Sequence, residues 1–332
     1  MANHKRSTQT KTETKTKTRA KAHCVVGIDV SKAKLDVAFG TVVKQFTNDR
    51  AGHDKLIKQL VRLSPRMIVV EATGGYEDLL LLAIHDAKLT VALVNPRRIR
   101  NFARAVGISA KTDRLDARVI AQFGERVDLE PTPAPTQAQR TLRALINSRA
   151  QLRRDLVAEN NRLELTYEPF VREVILQVCA SIEDALAKLE RKIAEVLDAN
   201  PEWQRTAEVL RSAPGVGFVT AATLIARLPE LGSSEPKSLS MLVGVAPINC
   251  DSGTLRGHRR TWGGRGEVRA ALYMATLTAI RCNPVLRDFR KRLLERGKPP
   301  KVAMIACARK LLVMLNAMVR RGRMWEAPAQ AA

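Results

Sequence analysis

Between Cys24 and Val127 the chain alternates short, almost wholly apolar segments with amphipathic ones; after a Pro-rich break at residues 130–137 this alternation stops. "CVVGIDV" and "LDVAFG" read as two strands joined by a hairpin, with a third strand at "VVKQFT". A helix over Gly52–Leu63, the strand "RMIVVEA", the helix "YEDLLLLAIHDA" and the strand "TVALVNP" come next, then helices at "PRRIRNFARAVG" and "KTDRLDARVIAQFGERV". Strands alternating with helices build a layered α/β domain, because each apolar strand needs a helix to cover its face. Beyond the break the pattern turns helical. Leu142, Leu145, Leu152, Leu156 and Leu163 recur at three-four spacing, and Ile175, Val178, Ile182, Leu189, Ile193 and Val196 repeat it after Pro169. That is the pattern of a long helical hairpin or coiled coil. The predicted organisation is a basic arm at 1–22, an α/β domain at 23–135, the hairpin at 136–205, a mostly helical unit at 206–325 and a tail at 326–332.

Charge narrows the function. The net charge is +23, and residues 206–332 hold 21 Lys and Arg against 8 acids. Such an excess calls for a polyanionic partner, nucleic acid before a membrane surface. Aromatic residues are only 4% of the chain, too few for a series of base-stacking platforms. The five cysteines are scattered without a CxxC pair, as expected of a reducing cytoplasm and not of a disulfide framework or zinc site. No uninterrupted apolar run approaches the ~18 residues of a membrane span.

The acids carry the chemistry. Asp29 lies within the first strand, Glu71 ends a buried strand, and Asp113 and Asp116 sit three apart on one side of a helix. Carboxylates converging at one end of an α/β layer repel unless a hard divalent cation such as Mg²⁺ joins them. Such a site supports in-line phosphoryl transfer. Further along, "PGVG" precedes a helix that begins at Thr220 and resembles a helix-hairpin-helix turn. There Gly215 and Gly217 would let the backbone N–H groups meet a phosphate. Ser252, in "CDSGTLRGHRR", is followed by Arg256, Arg259, Arg260, Arg265 and Arg269, a cluster suited to a DNA phosphate.

The blocks "GIDVSKAKLDV", "VVEATGGYE" and "KTDRLDARVIAQF", with "PGVGFVTAATLIARLPELG", "LVGVAPINCDSGTLRGHRR" and "VRAALYMATLTAIRCNP" after them, resemble those of the IS one-ten family of insertion-sequence transposases. The resemblance implies a RuvC-like, ribonuclease-H-like fold for the first domain and a transposase domain at the C-terminus. It implies that Asp29, Glu71, Asp113 and Asp116 hold Mg²⁺ and that Ser252 is the nucleophile, forming a covalent phosphoserine link to DNA. It further implies a bridge RNA that pairs with donor and target DNA, composite sites in a homodimer or tetramer, and a cytoplasmic, nucleoid-associated enzyme. Three rivals share some features. A Holliday-junction-type nuclease would use the acids alone. An actin-like ATPase would follow its first-strand Asp with a Gly-Thr loop, where this chain has Val30-Ser31-Lys32. A non-enzymatic nucleic-acid-binding protein leaves the placed acids unexplained.

Overall fold

The structure is a computed structural model that describes residues 24–108, 113–249 and 259–327, without the side chains of residues 113–115. It divides into two compact units with the boundary at Ala134/Pro135.

The first unit is a five-stranded mixed sheet with helices on both faces. Its strands are β1 (Val25–Val30), β2 (Lys34–Phe39), β3 (Val42–Thr47), β4 (Met67–Glu71) and β5 (Val91–Val94), in spatial order β3-β2-β1-β4-β5. The first three form an antiparallel meander; β4 and β5 join β1 in parallel through helical crossovers. The α/β expectation therefore holds, strand by strand. β1 and β4 are buried on both faces, which is why they read as continuous apolar runs without alternation.

Helices α1 (Arg50–Leu63) and α2 (Asp78–Asp86) cover one face, where Ile28, Leu56, Leu60, Ile68, Leu80 and Ile84 are fully buried. The Asp49 carboxylate caps α1 by accepting from the Gly52 N–H at 2.7 Å. Helices α3 (Pro96–Ala105) and α4 (Asp113–Arg126) cover the other face, where Ile120 and Phe123 of α4 share a core with Val25 and Val69 of the strands.

The second unit is all helical apart from a single two-residue bridge among the described residues. Helices α5 (Gln137–Leu165) and α6 (Pro169–Asp198) form the predicted hairpin. A Thr136–Gln139 capping box starts α5, and Glu168 with Pro169 starts α6. Their contact is apolar, through Leu156, Ile175, Cys179 and Leu186, and Arg149 pairs with Glu190 at 2.6 Å. The sequence separates this hairpin from the helices C-terminal to it; in the structure it belongs to the same compact unit. The reason is that Leu142, Ile146, Ile193 and Leu197 share a core with Ala222 and Ala226 of a later helix.

The rest comprises α7 (Pro201–Ser212), α8 (Phe218–Arg227), α9 (Pro236–Val243), α10 (Gly266–Cys282), α11 (Pro284–Glu295) and α12 (Pro300–Arg321), around a core that includes Leu224, Leu239, Leu272 and Leu311. By length and composition α12 could cross a membrane. Arg309 and Lys310 interrupt its apolar run, and its inner face, with Leu311, Leu312 and Leu315, is sealed in this core.

Candidate active site

Strands β1 and β4 run side by side in parallel, with Gly27 opposite Val69 and Ile28 opposite Val70. The next residue on each is an acid: Asp29 on β1, Glu71 on β4. Parallel neighbours in register point to the same face, so these two half-buried carboxylates stand together at the carboxyl end of the sheet. Ligands of open α/β sheets gather at that end.

Helix α4 supplies the other two positions. A Cβ on Gly27 would lie 2.3 Å from both the Ala117 carbonyl oxygen and the Ala121 nitrogen. Only glycine lets the helix backbone come this near. Farther from the site, a Cβ on Gly124 would lie 2.8 Å from Val25 and 2.5 Å from Val69. The helix thus runs antiparallel to β1, its first turn toward Asp29. Asp29 lies two residues beyond Gly27, about 7 Å along the strand. Asp113 lies four residues before Ala117, about 6 Å along the helix. The helix start, with Asp113 and half-buried Asp116, therefore lies at the Asp29 end.

Carboxylates without sulfur or imidazole form the donor set of a hard divalent cation. Among the described residues no group of three or more Asp, Glu, His or Cys side chains is placed to hold a metal ion; the Asp113 side chain falls outside them.

Two further acids belong to this corner and escaped the sequence reading. Asp36 pairs with Asp29 across the antiparallel β1–β2 ladder, so both point to one face. Asp36 is 4% exposed; its carboxylate accepts from Gln45 Nε2 at 3.1 Å and lies 3.6 Å from Lys34 Nζ. Counting back from the tight turn at residues 31–33 would have found it. Glu77 is equally buried and organises the loop after Glu71. Its carboxylate accepts from the Thr73 hydroxyl and from the Gly75 N–H at 2.9 Å. Burial alone pushes its pKa up, but the hydrogen bonds from Thr73 and the loop N–H groups outweigh this and hold it below 4.5. Asn48 ties this loop to the β1–β2 turn, donating to the Ser31 and Tyr76 carbonyls at 2.8 and 3.1 Å while His53 meets its side-chain oxygen at 2.8 Å.

In the second unit, Ser252 and Arg256 fall outside the described residues, but the neck formed by the residues on either side is set. Ile248 and Arg260 form an antiparallel bridge, N···O 3.0 and 3.4 Å. Arg259 and Arg260 are exposed at that neck. Arg265 and Arg269, grouped with them in the sequence, are used internally. Arg265 forks onto Glu230 at 2.6 Å through both terminal nitrogens and also donates to the Arg227 carbonyl. Arg269 donates to the carbonyls of Val243 and Gly263. Gly215 has a φ of +98°, and a Cβ there would come within 2.5 Å of the Ala279 backbone on α10, so it serves a close helix contact. Gly217 caps α8 with open space around its Cα.

Comparison with known proteins gives a family to this arrangement. A DEDD transposase family model of IS110 type matches residues 26–166, and a model described as "Transposase IS116/IS110/IS902 family" matches residues 207–291. The "Pilin gene-inverting protein" of Moraxella lacunata is 30% identical over 314 residues, covering 90% of this chain and 96% of that one. The chain belongs to the IS110, or IS one-ten, family of transposases. It is a DNA transposase and recombinase. The "Transposase for insertion sequence element IS1111A" of Coxiella burnetii is 23% identical over 69% of this transposase and 70% of its own length. A solved Thermus thermophilus RuvC bound to a Holliday junction overlaps 33% of the transposase and 99% of RuvC, at 15% identity and a TM-score of 0.26. The DEDD domain of the transposase implies dependence on a divalent metal.

Proposed function

We propose that the first unit is RuvC-like and holds Mg²⁺ on Asp29, Glu71, Asp113 and Asp116, and that the protein exchanges DNA strands through a phosphoserine link at Ser252. The observation that carries this reading is the adjacency of Asp29 and Glu71 on neighbouring parallel strand ends, with the start of α4 brought to the same end by the Gly27 contact. When bound there, Mg²⁺ would polarise a phosphate and offset charge on its oxygens.

The protein's own groups do the rest. Rigid strands hold the carboxylates where loops could not. The Ser252 Oγ attacks a DNA phosphorus; the Ser–O–P bond forms, the P–O3′ bond breaks, the serine proton is given up and the 3′ oxygen takes one up. Attack by another strand's 3′-hydroxyl reverses the step and reseals DNA, so the phosphodiester is conserved and ATP is not needed. Arg256, Arg259 and Arg260 hold the phosphate, while Arg265 and Arg269 brace the segment that carries them.

The exposed apolar tip of the hairpin supports assembly into a dimer or tetramer with composite sites: Leu165 is 85%, Tyr167 93% and Phe170 70% exposed. A helix-hairpin-helix role for Gly217 and guidance by a bridge RNA complete the proposal, in which base pairing selects donor and target DNA. The setting is the cytoplasm, at the nucleoid. The test incubates the protein with its flanking non-coding RNA, Mg²⁺ and element-end DNA. A covalent DNA adduct on a denaturing gel, lost in Ser252→Ala, supports the serine route. Cutting that persists in Ser252→Ala would instead mark a hydrolytic nuclease.

A further inference from the structure

A solvent-open cavity of about 750 Å³ lies in the second unit between the Ile248–Arg260 bridge region and helices α11 and α12. Its wall has two chemistries. Arg259, Arg260, Lys301, Arg309 and Lys310 contribute five cations, and among the described residues no lining side chain is acidic. Its apolar lining includes Pro247, Phe289, Ile305 and Val313. Lys310 Nζ stands 4.5 Å over the Phe289 ring, which holds one of these charges against an apolar lining residue.

A paired duplex presents a convex ridge of phosphates, and a flat basic surface is enough to bind that. A concave, partly apolar cavity is left unfilled by it. A base taken out of the stack can enter such a space and lay its faces on apolar side chains while its flanking phosphates meet the lining cations. We infer that this cavity receives one unpaired nucleotide of a DNA strand, its base against the apolar side chains Pro247, Phe289, Ile305 and Val313 and its phosphates on Arg259, Arg260, Lys301 and Arg309. The inference rests on the reading of this unit as DNA-binding. It adds that the unit distinguishes an unpaired from a paired nucleotide beside the segment bearing Ser252.

The test uses the full-length protein and three probes: a fully paired DNA duplex, the same duplex with one unpaired 2-aminopurine, and an RNA duplex with the same unpaired base. The wild-type protein binds the DNA with the unpaired base about tenfold tighter than the paired duplex, and the 2-aminopurine fluorescence changes on binding. Ala306→Leu, which narrows the cavity at its apolar lining, removes this preference while leaving paired-duplex affinity within about twofold. Val302→Glu, at a position already 53% exposed, does the same by placing a carboxylate at the mouth without disturbing the core. Equal affinity of the wild type for both DNA probes overturns the inference and leaves the DNA-binding reading standing, as does a preference unchanged in both variants. A larger gain with the RNA probe overturns the choice of DNA. Failure to bind any of the three probes overturns the DNA-binding reading as well.

Discussion

Asp29 and Asp36 face each other across β1 and β2 as directly paired residues of an antiparallel ladder, two carboxylates on one side of one sheet. Like charges directly opposite destabilise a strand pair by about 0.2–1 kcal/mol. Asp36 is held by Gln45 and Lys34, and Asp29 belongs to the acid set proposed to hold the metal.

Stability of the first unit should therefore depend on Mg²⁺. With free Mg²⁺ at about a hundred times its Kd, the gain is about 2.7 kcal/mol. Asp29→Asn loses most of that gain. Asp36→Asn unfolds slightly later than wild type in EDTA and gains less from Mg²⁺. Thermal melts of the three proteins with and without the ion check this.

Gly27→Ala should fail by overpacking, because its Cβ meets helix backbone at 2.3 Å and backbone cannot rotate away. The cost is about 3 kcal/mol or more. The displaced helix also moves Asp113 and Asp116 relative to Asp29. Urea unfolding measures the first effect; Mg²⁺ titration by calorimetry measures the second.

Acid should loosen the same corner. Burial lowers the His53 pKa below its ordinary 6.5, and the loop hydrogen bonds hold Glu77 below 4.5. In both cases the unfolded chain takes up the proton first, so stability is full above the ordinary value and falls as pH drops toward the folded one. Stability of the first unit declines from about pH 6.5 through His53 and further below about 4.5 through Glu77. Glu77→Gln flattens the lower step and costs about 1–3 kcal/mol at neutral pH. Denaturant midpoints across pH test both steps.

The arginines near Ser252 should separate into two classes. Arg265→Lys breaks the fork onto Glu230 and destabilises the second unit by about 1 kcal/mol, since the pair is about a third exposed. Arg259→Ala and Arg260→Ala leave unfolding unchanged, and each lowers the salt slope of DNA binding by about one. Melting curves beside binding isotherms at several salt concentrations distinguish the classes.

Much of the first unit was legible because its signals are local. Apolar runs bounded by turns mark β1, β4 and β5, and the acids Asp29 and Glu71 end or interrupt such runs. The long hairpin was equally plain from its three-four spacing. The roles of arginines were not legible. Arg259 and Arg265 are the same residue type six positions apart, and only the approach of Glu230, 35 residues upstream of Arg265, makes one of them structural. Asp36 and Glu77 were passed over for a related reason: an acid in a strand or a loop gains meaning from what it faces.

The sequence by itself determined the alternation of strands and helices, the basic second unit, the acid positions and the family, since all of these are written in residue order and spacing. Only the tertiary structure decided that Asp29 stands beside Glu71 and opposite Asp36, that α4 presses on Gly27 and so carries its acids to that end, and that a cavity lined by both cations and apolar side chains opens beside the Ile248–Arg260 bridge. Each of these depends on register and close packing between segments far apart in the chain, and no local pattern of residues encodes a distance.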